Sequence, residues 1–506
     1  MLGVAGLLLG RFRPHLGLAV LVAVIVVTPS LDWQLGMPNS ATAFVYMLGL
    51  LAGAGWHRAT LAAPERRATA NGDVARHATV AVQLALLTIA VSSLLAMLRN
   101  VPLGELALQL RPALADLAAF NPPGAAGTLQ ATLVAMMGLV LLALFVGRLD
   151  TASKRSMLTT AFTVGIVVAV FSPLFQLLFL NPYVRPDKQI RTGEGLVGFF
   201  QDQHSFAAFL VLAIGVSAGL AYGYSKRRQP ALATAYAGLS LASTVVLLYT
   251  NSRGGLLALA GATLLAVLTW LTLSLRAAST SRQGKRRRLA SGVISAIVLA
   301  TLAGLVVSPS FRGSVQRPLS QLGNPRMWEF LDPETAENPL LARRMLLWSK
   351  GAILIAERPI FGTGPKGYSS SGVVVRAELL EAHGEAYGTS ESDSARQELE
   401  VENAHSYFLQ YAAEYGVPAL ACLLAVLTLV MTTTWHGAMH RPDVLERGLL
   451  AGIVFGQVAF VIFSFVSHPL LLAEAQGAFW TLSALAIATV IPRADDQVIE
   501  AADASR

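Results

Sequence analysis

The sequence predicts an all-α integral membrane protein of about twelve transmembrane helices, with one large connection between the ninth and tenth. Three observations predict it: composition, the length of the apolar runs, and the placement of arginine and lysine. Of 506 residues, 54% are hydrophobic and 13% charged, where a soluble globular chain carries about 25% charged residues. The mean hydropathy of +0.56 agrees with that deficit.

A helix crossing a bilayer needs about 20 mostly apolar residues. Twelve stretches meet or approach that length, near 15–30, 40–56, 78–97, 128–147, 157–179, 204–223, 232–250, 254–275, 290–308, 415–434, 448–467 and 472–491. The first two are short, and the pair flanking Arg253 is tightly connected. Ahead of them Arg11 and Arg13 precede an apolar run without a small-residue cleavage site, which reads as a first anchor and not a removed signal.

Arginine and lysine in short connections mark the cytoplasmic side. One set of connections holds Arg58, Arg66, Arg67 and Arg76, then Arg148, Lys154 and Arg155, then Lys226, Arg227 and Arg228. The same set holds Arg276, Arg282, Lys285–Arg288, Arg441 and Arg447, while the alternate connections are poorer in basic residues. Both termini are therefore expected on the cytoplasmic side. The net charge of +8 is a topology signal and a contact for anionic lipids, not a nucleic-acid surface. The single cysteine, Cys422, allows neither an internal disulfide nor a cysteine metal cluster.

The expected organisation is then membrane helices over 1–308, a polar connection over 309–414, three further spans over 415–491 and a cytoplasmic tail over 492–506. A connection of this length without a role is uncommon. Within it, residues 341–357 read as an amphipathic helix, and Pro359, Gly362, Gly364 and Pro365 force a turn after it. Residues 377–402 are acidic and read as flexible. The chain shows no internal repeat of fixed period.

Charged groups at a membrane boundary are costly and so are functional candidates. On the outer side these are Arg191 in RTGEGLVGFF, Arg253 in NSRGG, and His405 in VENAHSYFLQYAAEYG, with His468 a further case. Each also has a plain reading, since an arginine at a helix end can snorkel and an interfacial histidine can be structural. Together they say more. Guanidinium groups grip phosphate oxygens in bidentate fashion, and a histidine ring can take a proton from a hydroxyl. A pyrophosphate leaving group needs its growing charge stabilised, by a carboxylate-held metal or by arginines alone. No Asp–x–Asp pair stands on the outer connections, although the acidic residues of 391–402 keep the first option open.

The residues now resemble a known family, the O-antigen ligase and polymerase superfamily. NSRGGLLALAGATLL (251–265) is similar to its Ser-Arg-Gly helix opening. RRMLLWSKGAILIAERPIFGTGPKGY (343–368) resembles its Arg/Trp helix and following Pro-Leu-Phe-Gly-x-Gly-Pro. NAHSYFLQYAAEYGVPAL (403–420) is similar to its His-Asn/Ser-x-x-Leu…Glu-x-Gly stretch. RTGEGLVGFFQDQHSFAAFL (191–210) is a weaker likeness, with Gln203 and His204 where the family has asparagine. The resemblance covers about 185–470, with the motifs in order.

It implies a bundle of about twelve spans under a large periplasmic loop in the bacterial inner membrane. It also implies transfer of a glycan from undecaprenyl pyrophosphate to an acceptor hydroxyl, with inversion, without metal or cofactor. By motif, Arg191 and Arg253 would neutralise the pyrophosphate and His405 would be the base or orient the acceptor. Arg344, Trp348, Gly364, Tyr407, Glu414 and His468 would contribute to substrate binding. On one unbroken helix with Asn403 as N-cap, His405 would lie in the first turns and share a face with Leu409 and Ala412. Glu414, nine residues on, would point away. Either the helix is interrupted or Glu414 orients something else.

The acceptor is lipid A–core in a ligase, a second polyprenyl-linked glycan in a polymerase, or a protein. The motifs serve the donor, and the reading leans to a ligase. The alternative from another class is a transporter or flippase for a polyprenyl-linked glycan. Such folds show halves-symmetry and broken helices at the midplane, whereas here the informative residues cluster at one face.

Overall fold

The computed structural model describes residues 2–34, 41–60, 73–100, 124–178, 196–200, 202–250, 252–277, 339–370 and 403–491. The chain runs through α1 (Leu2–Phe12), α2 (Pro14–Gln34), α3 (Ala41–Thr60), α4 (Asp73–Asn100), α5 (Gly124–Phe145) and α6 (Ala152–Leu178). It continues through α7 (Gln203–Lys226), α8 (Pro230–Tyr249), α9 (Arg253–Ala277), α10 (Pro339–Glu357) and α11 (Tyr407–Tyr415). It ends with α12 (Val417–His440), α13 (Val444–Val466) and α14 (Ala473–Val490). No strand occurs among the described residues.

Eight of these helices, α4 to α9 with α12 and α13, are long and apolar enough to cross a membrane. They match eight of the twelve expected spans. The expected spans at 15–30 and 40–56 are helices whose apolar stretches are shorter, Pro14–Pro29 and Thr42–Trp56. That at 290–308 lies outside the described residues, as do residues 377–402. Helix α1 is an addition: it lies parallel to α3, where a Cβ on Gly10 or Gly53 would sit 2.2 or 2.1 Å from a backbone oxygen of the other helix.

The expected span 472–491 is α14, and it differs from the others in kind. It carries Glu474, Gln476, Thr481, Ser483 and Thr489, and every residue from Ala473 to Thr489 is buried. Polar side chains face the interior of a membrane bundle because lipid offers them no partner. Gln457 on α13 donates to Ser483 (3.0 Å), and Gln476 donates to the carbonyl of Val134 on α5 (3.1 Å). Hydroxyls inside other spans bond back to the carbonyl four residues earlier, as Thr159, Thr163 and Ser464 do.

Helix α7 is the other central element. Of its membrane-length window 83% is buried, against 11% for α8 and α9, which form a wall on the outside of the described bundle. Helices α7 and α13 pack antiparallel through two glycine rows, Gly215, Gly219 and Gly223 against Gly448, Gly452 and Gly456. Without a hydrophobic driving force in lipid, small residues let backbones approach and gain dispersion contact.

The bundle has two chemically distinct ends. At one, Arg227 pairs with Asp443 (2.5 Å), while Glu446 lies 3.8 Å from Arg155 and 3.5 Å from Arg441. These basic residues come from three of the connections that the sequence reading assigned to a common side. At the other end α7, α9 and α14 begin and α8 and α13 finish.

Candidate functional site

The site is built at that second end, around a short break in the chain. Asn403 accepts the backbone N–H of His405 through Oδ1 (3.0 Å), closing a tight turn. His405 takes φ +45°, in the left-handed region that is uncommon for a non-glycine residue. Ser406 is extended, and α11 begins at Tyr407.

This corrects the expected placement of His405 in the first turns of a helix capped by Asn403. The residue at the cap position is Ser406, which makes no side-chain cap bond. The Asn403 side chain is committed to the turn, and the N–H of Tyr407 donates to the carbonyl of Ser467 (2.9 Å). His405 therefore precedes the helix and shares no helical face with Leu409 or Ala412.

The same geometry shows what Glu414 touches. Gln410 Nε2 donates to Glu414 Oε1 (3.1 Å), and Gln410 Oε1 accepts the N–H of Ala404 (3.3 Å). The Ala404 carbonyl accepts the indole N–H of Trp348 on α10 (3.1 Å). Ala404, the residue before His405, is thus held at both its N–H and its carbonyl, and Glu414 reaches its N–H through Gln410. Burial pushes the Glu414 carboxyl up to about 7, opposed by the Gln410 bond, by the N–H groups of Tyr368 and Lys366, and by the Lys366 charge. Burial also lowers the Lys366 ammonium, and the Glu414 charge raises it.

The turn after α10 docks on the end of α11. The carbonyls of Ala413 and Glu414, which a helix end leaves open, accept N–H groups of Thr363 (2.9 Å) and Gly364 (2.8 Å). Val417 N–H donates to Pro359 (2.8 Å). Gly362 has φ +62° and lies so close that a Cβ would meet Glu414 at 2.4 Å. Gly364, expected at the substrate, has φ +96° and is packed on Ala96 of α4, with a Cβ only 2.1 Å away. Helix α4 also reaches the turn through Ser92 and Arg99, which donate to the carbonyls of Phe361 (2.5 Å) and Gly362 (3.3 Å). Lys350, buried in α10, sits 5.0 Å over the Tyr368 ring, and Tyr368 donates to the Leu347 carbonyl.

Histidines from three segments meet here. The His405 and His468 rings are 5.7 Å apart edge to face, and the His204 and His468 rings are 6.4 Å apart. Asn403 Nδ2 is 3.4 Å from His468 Nε2. His204 opens α7, where Asp202 caps the helix by accepting the N–H groups of His204 (2.6 Å) and Ser205 (2.8 Å). The departure from asparagine in the family-like stretch was the signal for His204. Nothing in the local sequence pointed to Gln410 or Lys350. Among the described residues, no three histidine, cysteine, aspartate or glutamate side chains are spaced to hold a metal ion.

Arg253 is the exposed first residue of α9. A Cβ on Gly254 would meet Phe463 and one on Gly255 would meet Ala207, so Arg253 stands at the same end as His204 and His468. Arg191 lies outside the described residues. The chain that follows it is tied to the end of α8, where Leu196 N–H donates to Tyr249 (2.9 Å). Arg344 is half-buried one turn before Trp348 on α10. Tyr407 is buried against Phe408 and Tyr411, so its contribution to the turn is its backbone N–H.

Residues 237–424 match the O-antigen ligase family model. Over that region the chain is similar to the O-antigen ligases. The matched O-antigen ligase region contains Arg253, Trp348, Gly364, His405 and Glu414, and stops short of His468. A search of curated proteins finds no match. The matching family is one of ligase-type glycosyltransferases that work on glycan and lipid substrates at a membrane.

Proposed function

We propose that the protein is a ligase that transfers a glycan from undecaprenyl pyrophosphate to an acceptor hydroxyl, on lipid A–core or a similar glycolipid. The observation that carries the reading is His405, held at φ +45° by its neighbours at the same end of the bundle as Arg253. Backbone strain of this kind is kept where the surroundings enforce it, often at a reacting centre.

In this reading His405 takes the proton of the acceptor hydroxyl as the oxygen attacks the anomeric carbon. The new C–O bond forms on the face opposite the leaving group, so the configuration inverts. The bond to the pyrophosphate oxygen breaks with its electron pair, and the guanidinium groups of Arg253 and Arg191 offset that charge. No metal is needed. The reaction occurs on the periplasmic side of the inner membrane, with the Arg155–Arg227–Arg441 end and both termini in the cytoplasm, consistent with the excess of basic residues there. Arg344 and Trp348 on α10 border the acceptor.

The test is a reconstituted assay with purified undecaprenyl-pyrophosphate glycan, lipid A–core acceptor and EDTA. Transfer that survives EDTA and is lost in Arg253→Ala and His405→Ala supports the reading. Full activity in both variants overturns it. Products that lengthen on the polyprenyl carrier identify a polymerase, and labelled lipid crossing leaflets without a new glycosidic bond identifies a transporter.

A further inference from the structure

The three-histidine cluster does more than surround His405. An asparagine amide can ordinarily be turned either way, with oxygen and nitrogen exchanged. At Asn403 the choice is decided by chemistry. The backbone N–H of His405 is a donor and requires the amide oxygen, so Oδ1 faces it at 3.0 Å. The NH2 group is left facing His468 Nε2 at 3.4 Å. An amide N–H needs a lone pair to donate to, and in the Nδ1–H tautomer of His468 the ring offers one at Nε2. The backbone of the same segment is tied to the same turn, because the Ser467 carbonyl accepts the Tyr407 N–H at 2.9 Å.

We propose that Asn403 and His468 form a coupled pair of positioning residues that hold His405 in its left-handed turn, His468 acting on His405 through Asn403 and not on the donor. The inference rests on the reading of His405 as the proton acceptor. His468 in its neutral Nδ1–H form orients the Asn403 amide, and the amide oxygen holds the His405 backbone. The His468 ring also stands edge to face with the His405 ring at 5.7 Å, and lies 6.4 Å from the His204 ring. Loss of either member of the pair frees the turn to leave the left-handed region, which is uncommon for a non-glycine residue.

The experiment measures kcat and donor KM for Asn403→Ala, His468→Ala, the double variant and His468→Gln in proteoliposomes, with His405→Ala as reference. Either single alanine variant is expected to lower kcat by about tenfold to a hundredfold, the scale on which a displaced catalytic group costs rate. The donor KM is expected to stay within about twofold. The double variant is expected to be no slower than the slower single, because the two act as one unit. His468→Gln, whose amide oxygen can accept from Asn403, is expected to recover most of the rate, which also covers the case of an alanine variant that fails to fold. Unchanged kcat in the singles, multiplied losses in the double, a raised donor KM at constant kcat, or no recovery with glutamine would each overturn the proposal. Activity retained in His405→Ala would instead sink the catalytic reading beneath it.

Discussion

Trp348 donates its indole N–H to the carbonyl of Ala404 across 3.1 Å, and so ties α10 to the turn that carries His405. Ala404 is fully buried, and its N–H is held by Gln410. The two peptide groups flanking the Ala404 Cα are thus held by side chains 56 residues upstream and 6 residues downstream. Helix α10 is thereby a brace for the site as well as a wall beside it.

Trp348→Phe keeps most of the ring and deletes the donor. A buried carbonyl without its partner costs about 1–3 kcal/mol. The expected result is a drop in kcat of about tenfold, with donor KM little changed. A variant with raised KM and normal kcat would show that the indole contacts substrate instead.

Glu414 gives a pH dependence with a definite sign. Its folded carboxyl is raised from 4.5 to about 7 by burial. The protonated form therefore favours the folded state. That contribution is fully present below pH 4.5 and is lost as pH rises through about 7. The full swing is on the order of 3 kcal/mol for this buried group. Glu414→Gln keeps an acceptor for Gln410 and cannot ionise. Its unfolding temperature in detergent should be flatter between pH 5 and 8 than that of the wild type. Equal slopes would show that Glu414 does not carry the effect.

The α7–α13 contact should reject any added carbon. A Cβ on Gly452 would meet the Gly215 carbonyl oxygen at 2.2 Å, and one on Gly219 would meet that of Gly448 at the same distance. These atoms are backbone and cannot swing aside. Gly452→Ala and Gly219→Ala are each expected to destabilise by about 1–3 kcal/mol, read as a lowered unfolding temperature. An alanine at the outward-facing Gly238, with nothing within 4 Å of its Cβ, serves as the neutral control.

Arg253 tests the leaving-group role by geometry and not only by charge. Arg253→Lys retains the cation and loses the planar fork that matches phosphate. A partial loss in lysine and a loss of about a hundredfold or more in alanine are expected for kcat/KM. If lysine matched arginine, charge alone would suffice. If alanine matched both, the donor would be held elsewhere.

Much of this was legible in the residues. Eight spans follow from apolar length alone, because the cost of leaving backbone groups unbonded in lipid permits little but helices there. The turn at Pro359–Pro365 follows from residue types with few backbone options. His405 was legible as a candidate, but its conformation was not. A helix from Asn403 satisfies local rules, and only the Ser467 carbonyl, brought back from 60 residues further on, makes the chain begin its helix at Tyr407. The glycines at 215, 219 and 223 announce a close contact by spacing four apart, yet not which helix they face. Gln410 reads as an ordinary polar helix residue until Ala404 folds against it.

By itself, then, the sequence determined the membrane class, eight of the spans, the ordered motifs and the candidate residues, because hydropathy and backbone chemistry are properties of local stretches. Only the tertiary structure decided that α14 is a polar central helix, that His204, His405 and His468 converge, and that Glu414 reaches the site through Gln410. Each of those depends on which distant segment supplies a hydrogen-bond partner inside a bundle that excludes water, and no window of sequence contains that partner.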